Sequence, residues 1–381
     1  MHTSAAATRL KVLASSVAAT VALLALPLGG TPVAAASNQP ASRACTSKAN
    51  DVRPLQLGKV TGIYSMPAKA PQSLVVMAHG YRNNSSSWKT HLLEARQHGA
   101  AAVAVDYRGL GAKPNYVGWP AMAGSRDLVT AAQYMLQRCP SIKKVVLVGV
   151  SMGGNMSGLA LAADAKRPHS SKALFDYWVD VEGVTNWNET WAGASALAAG
   201  SAYAAQAAKD IQAECGGKTP AENPSCYQAR TVTARIADIA KSGVRGIAVV
   251  HGVEDGLVPS DQSREFVTAA RANSIKTDIY NVVRRDPNDK GQSGQTTAIS
   301  QGDPNADCTG GGNGSVNGVG SGVCDPFAGH GWEGSSTQIV IKTGMNVVWG
   351  FLTATPTNPG NRECLVDAVS QPTPACSPAT L

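Results

Sequence analysis

Three side chains able to share an acyl transfer stand along this chain in a usable order. They are Ser151 in Gly149-Val150-Ser151-Met152-Gly153-Gly154, then Asp255, then His330. A serine becomes nucleophilic near neutral pH when a base takes its proton, and that base needs an acid to orient it. The surroundings of Ser151 fit the role. The apolar run Val145-Val146-Leu147-Val148 leads into it, and a small-residue helical stretch from Met156 to Ala165 follows. Gly-x-Ser-x-Gly between a strand and a helix is a nucleophile elbow, a turn so tight that a Cβ at Gly149 or Gly153 would collide with neighbouring backbone. The helix N-terminus beside the serine favours negative charge that develops there.

An elbow serine takes its acid, and then its histidine, from later in the chain. Of the seven histidines, His2 lies in the leading segment, and His79, His91 and His98 precede the serine. His169 sits on a polar link and His251 at a strand end. Only His330, in Ala328-Gly329-His330-Gly331-Trp332, follows the leading candidate acid, Asp255 of His251-Gly252-Val253-Glu254-Asp255-Gly256. Asp180 and Glu182, past the previous strand, and the adjacent Glu254 stay open as alternatives. A tetrahedral oxygen needs two N–H donors. Met152, directly after the nucleophile, and Tyr81, after His79-Gly80, are the candidates. Trp187, Trp191 and Trp332 are candidate substrate contacts, although aromatic residues in such places more often pack.

Buried strands are expected over 74–78, 101–105, 145–150, 177–181, 246–250 and 276–283, with an edge strand over 58–66. Helices fit 88–98, 123–138, 262–273 and 338–352. Continuous apolar strands alternating with helices indicate an α/β fold with a mostly parallel, doubly wound sheet covered on both faces. Sites in such sheets form beyond the carboxyl ends of strands, where His79, Ser151 and Asp255 all fall. Two stretches interrupt the alternation. Residues 187–243, alanine-rich over 191–213, read as a small helical cap insertion. Residues 286–329 form a Gly-rich loop insertion without hydrophobic periodicity, long enough to suggest a functional or disordered segment. The Pro-rich tail, 356–381, is expected to lie extended on the surface.

Arg9 and Lys11, the apolar run from Val12 to Leu28 and Ala34-Ala35-Ala36 read as a signal peptide over residues 1–36, with cleavage near Ala36 and secretion of the rest. Residues 37–355 then form the main domain. The net charge of +7 falls by two with Arg9 and Lys11, to +5, and the basic residues are scattered without interleaved aromatics. That excludes a nucleic-acid site, and no later apolar run is long enough for stable membrane insertion. All eight cysteines follow the signal, as disulfides in an exported chain would require. Proximity suggests Cys215–Cys226, Cys308–Cys324 and Cys364–Cys376, leaving Cys45–Cys139. No Cys-x-x-Cys or Cys/His cluster is present, so neither a metal nor a cofactor is expected.

His79-Gly80-Tyr81, Asp106-Tyr107-Arg108-Gly109, the Ser151 elbow, the Asp255 turn and His330 together resemble the α/β-hydrolase superfamily of serine esterases, lipases and prolyl-oligopeptidase-like peptidases. The resemblance spans residues 56–355 in element order. It implies an α/β-hydrolase fold and a secreted, monomeric serine hydrolase that cleaves a small-molecule or polymer ester through an acyl-enzyme on Ser151. A serine peptidase or amidase of the same fold is the alternative. A non-catalytic binding or cell-wall protein on the scaffold is another.

Overall fold

A computed structural model describes residues 45–107, 118–199, 201–253, 255–283, 315–316, 319–320, 330–367 and 371–379. The expected signal peptide, the alternative acid Glu254, most of the Gly-rich insertion and the Cys308–Cys324 pair fall outside these residues.

Ten strands form one sheet. β2 (Val60–Ser65) is the strand expected over 58–66, and it makes an antiparallel hairpin with β1 (Arg53–Leu57), which the alternation did not suggest. The central strands are β3 (Ser73–Ala78), β4 (Ala101–Val105), β5 (Lys144–Val150), β6 (Tyr177–Val181), β7 (Gly246–Gly252) and β8 (Thr277–Val283). Strands β9 (Ser315–Val316) and β10 (Val319–Gly320) form a separate small ribbon. With β11 (Arg362–Asp367) and β12 (Gln371–Pro378) from the tail, the order across the large sheet is β1-β2-β4-β3-β5-β6-β7-β8-β11-β12, parallel from β4 through β11 and antiparallel at both ends.

The two faces carry separate cores. Helices α2 (Ala121–Arg138), α3 (Met152–Ala162) and α8 (Ser260–Ala272) cover one face, with Leu128, Met135, Leu159 and Phe266 packed on Leu74, Val76, Leu147 and Trp178. On the other face, α1 (Lys89–Gln97) and α9 (Ile339–Leu352) bring Leu92, Met345, Val348 and Phe351 onto Val75, Val146, Val148 and Val179. Strands β3 to β7 are buried along almost their whole length because both faces are covered. This is the doubly wound architecture that the strand pattern predicts.

The Pro-rich tail is more than a surface strap. β11 (Arg362–Asp367) runs parallel to β8, and β12 (Gln371–Pro378) closes that side of the sheet antiparallel to β11, joined by Cys364–Cys376. Proline can occupy such an outermost strand because its missing N–H costs no ladder bond there. Between β6 and β7 lie four helices: α4 (Trp187–Leu197), α5 (Ala202–Glu214), α6 (Pro224–Arg230) and α7 (Ile236–Lys241). Their starts are set locally by Asn186, Ser201 and Asn223, whose side chains accept N–H groups of the first turns. Cys215–Cys226 ties α5 to α6, and Cys45–Cys139 anchors the start of the described chain to the end of α2. Among the described residues no helix is long and apolar enough to cross a membrane.

Candidate active site

Ser151 stands between β5 and α3 with φ +55° and ψ −121°, a left-handed conformation rare outside glycine. Holding it there stores on the order of 1–3 kcal/mol of backbone strain, which the packed surroundings must enforce. They do so closely. A Cβ on Gly149 would lie 2.3 Å from the Gly153 carbonyl oxygen, and one on Gly153 would lie 2.1 Å from that of Ala78. The Ser151 N–H donates to the Val181 carbonyl at 3.0 Å, locking the turn to β6. Every residue of α3 is buried, so the helix that begins at Met152 is fixed behind the serine. Its first N–H groups have no intrahelical acceptor, which makes Met152 N–H a donor available to an oxyanion.

Asp255 and His330 are brought together from 75 residues apart: His330 Nδ1 lies 2.7 Å from Asp255 Oδ2. The other oxygen, Oδ1, accepts the N–H groups of Leu257 (2.8 Å) and Val258 (2.9 Å), so the carboxylate is held by its own turn beyond β7. A second histidine flanks it, with His251 Nε2 3.3 Å from Asp255 Oδ2. Burial raises the Asp255 carboxyl, but the His330 charge and the bonds to both histidines outweigh it and hold the group well below the usual carboxylate range. The other carboxylates separate on distance. Glu182 Oε2 is 3.7 Å from His330 Nδ1, a full ångström beyond Asp255. Its hydrogen bonds go to backbone, Oε1 accepting Gly252 N–H at 3.0 Å and Oε2 accepting Gly331 N–H. Burial, reinforced by the Asp255 charge, pushes Glu182 up to about 7. Asp180 is fully buried with both oxygens unpartnered, wedged where a Cβ on Gly154 or Gly183 would touch it.

The ligand atoms of Glu182, Asp255 and His330 lie within 4.8 Å of one another, a spacing a cation could bridge. The donors already present argue for a hydrogen-bonded cluster instead. Gly331 N–H points at Glu182 Oε2, and the Asp255 oxygens are shared among two histidines and two backbone amides.

Ser151 opens into a cavity of about 290 Å3. Tyr81 and Trp119 form one wall, residues 256–259 beyond Asp255 another, and α4 and α5 the roof. Tyr81 stacks on Trp119 (5.6 Å between centroids) and meets Tyr203 edge-on (5.3 Å), while its hydroxyl donates to Asp210 of α5. The three tryptophans expected at the pocket do not line it. Trp187 is fully buried and supports Trp119 edge-on from behind at 5.2 Å. Trp191 packs edge-on against Tyr227, and Trp332 lies where a Cβ on Gly334 would touch its ring. Packing had the stronger claim on all three. Trp119 does the lining instead, and only its place just before α2 could have singled it out.

Residues 75–272, which include Ser151 and Asp255 but not His330, match the model of a family described as the alpha/beta hydrolase family. No curated protein matches the chain. Among solved structures it is similar to an acylaminoacyl peptidase of Pyrococcus horikoshii, at 19% identity and TM-score 0.45, over 61% of this chain and 36% of that one. It is also similar to a puromycin-hydrolyzing peptidase of Mycobacterium tuberculosis, at 13% identity and TM-score 0.49, over 82% of this chain and 40% of that one. Dipeptidyl peptidase 4 of Porphyromonas gingivalis is similar at 16% identity and TM-score 0.43, over 61% and 31%. This chain therefore spans less than half the length of each of them.

Proposed function

Since the chain belongs to the alpha/beta hydrolase family, we propose that it is a secreted serine hydrolase that cleaves carboxylic esters through an acyl-enzyme on Ser151. His330 takes the Ser151 proton as the oxygen attacks the ester carbonyl, and Asp255 holds the imidazole and stabilises its charge. The N–H groups of Met152 and Tyr81 receive the oxyanion. His330 then protonates the departing alcohol, and a water it activates releases the acid. The observation that carries this reading is the 2.7 Å bond between His330 and Asp255 beyond the carboxyl ends of the central strands, where the strained Ser151 also stands. Secretion is supported by the three disulfides among the described residues and by the leading segment of the sequence.

Ester specificity is supported by the cavity wall. Trp119, Val184, Leu197, Ala204, Leu257 and Val258 suit an apolar acyl group. One observation favours amide or peptide cleavage as a second reading: Glu189, a carboxylate, also lines the cavity. A carboxylate at an N3 position commonly turns back to the N-cap amide. Here Asn186 N–H donates to Gln262 Oε1 at 3.0 Å, which leaves Glu189 to meet a free ammonium group. A panel of p-nitrophenyl esters of graded acyl length, run beside aminoacyl nitroanilides with free and blocked amines, tests the two. Turnover of esters with an optimum in acyl length is expected. Turnover confined to nitroanilides with a free amine would replace the ester reading by the peptidase one.

A further inference from the structure

Glu333, three residues beyond His330, is fully buried, and its Oε1 accepts the Gly80 N–H at 3.0 Å and the Ser87 hydroxyl at 2.9 Å. Gly80 precedes Tyr81, the proposed second oxyanion donor. The peptide unit between His79 and Gly80 is held at both ends, because its carbonyl accepts the Tyr107 hydroxyl at 2.9 Å. A peptide bonded at its C=O and its N–H cannot flip without breaking both bonds, one of them to a carboxylate. Room beside Gly80 is short. A Cβ on Gly80 would sit 3.3 Å from Glu333 Oε2 and 3.6 Å from Ser151 Cβ, so carboxylate, loop and nucleophile share one small volume.

We propose that Glu333 is a positioning residue that fixes the His79–Gly80 peptide and so aims the Tyr81 N–H at the oxyanion, a role that rests on the serine-hydrolase reading above. A buried carboxylate is costly unless hydrogen bonds compensate it. Here the compensation comes from the loop that carries Tyr81. The segment that carries Glu333 also carries His330, so the base and the oxyanion donor are registered to each other through three residues of chain and the Gly80 bond.

The test uses the full chain, the p-nitrophenyl ester it turns over best, and a fluorophosphonate probe. Glu333→Gln keeps an oxygen acceptor for Gly80, whereas Glu333→Leu removes it and Tyr107→Phe frees the opposite end of the peptide. Losing an oxyanion donor outright costs about 10²–10³ in rate. Misaiming one is expected to cost ~10- to 100-fold in kcat for Glu333→Leu and ~5- to 20-fold for Tyr107→Phe, with KM within about twofold, on the same scale. Fluorophosphonate labelling of Ser151 should slow in proportion, and Glu333→Gln should stay within about threefold of the parent rate. If Glu333→Leu fails to fold, the Tyr107→Phe and Glu333→Gln pair still decides. Folded variants that keep the parent kcat, or that change KM alone, overturn the proposal while labelling of the unaltered chain leaves the hydrolase reading standing. An unaltered chain that takes no label removes both.

Discussion

Asp255 Oδ2 and His330 Nδ1 stand 2.7 Å apart, and Glu182, the nearest competing carboxylate, stands 3.7 Å from the same nitrogen. That difference separates a hydrogen bond from a contact and assigns the two acids different work. In the proposed mechanism Asp255 orients the base. Glu182 ties the end of β7 to the loop that carries His330, through Gly252 and Gly331. Asp255→Asn is therefore expected to lower kcat by about 10⁴, the scale seen when a triad acid becomes an amide. Glu182→Gln retains one backbone acceptor and should cost about tenfold or less on that scale. Initial rates on one ester check the order. The reverse order would make Glu182 the orienting acid.

Tyr81 offers a cleaner separation of backbone from side chain. Tyr81→Phe keeps the N–H proposed for the oxyanion and removes only the hydroxyl given to Asp210 of α5. The expected outcome is KM raised about three- to tenfold with kcat within about twofold, and a stability loss of about 1 kcal/mol for the missing hydrogen bond. Steady-state kinetics and urea unfolding measure both. A kcat loss near 10² would mean that the hydroxyl itself meets the reacting atoms.

Asp180 gives the stability a pH dependence of definite sign. Burial pushes its carboxyl up to about 7 from an unfolded value near 3.8, with His251 offsetting only part of the rise. Between those values the folded protein keeps a proton that the unfolded chain releases. Stability therefore falls as pH rises from about 4 to about 7 and stays lower above it. Asp180→Asn removes this contribution and should be more stable than the parent at pH 8, by on the order of a few kcal/mol, with the gap shrinking towards pH 4. Glu182 adds a slope of the same sign to both proteins and cancels in the comparison. Urea unfolding of the pair at pH 5 and pH 8 checks it. An unchanged gap would mean that Asp180 is not charged differently in the two states.

The parallel sheet was readable in the sequence because its central strands are buried on both faces and so appear as unbroken apolar runs. Strand ends then located Ser151 and Asp255. The sheet margins were harder. Only β2 was read, as an edge strand over 58–66, while β1 before the turn at Gly58 went unread, and the prolines of β12 masked a strand that tolerates them only by being outermost. Within the site, Glu333 went unread and Glu182 was read only as an alternative acid, for one physical reason. Their roles are hydrogen bonds to backbone amides of distant segments, Gly252, Gly331 and Gly80, and no local spacing records such a partner. For the tryptophans the reading had favoured packing over substrate contact, and packing is what the structure shows. Trp187 works behind the pocket wall, holding the residue that forms it.

The central claim is that Ser151 is an activated nucleophile. The most direct measurement is reaction of the folded chain with a fluorophosphonate, followed by peptide mapping. One adduct per chain, on Ser151, is expected, lost in Ser151→Ala at a nearly unchanged melting temperature. A folded protein that takes no adduct, or takes it elsewhere, would contradict the account and leave the fold as a binding scaffold.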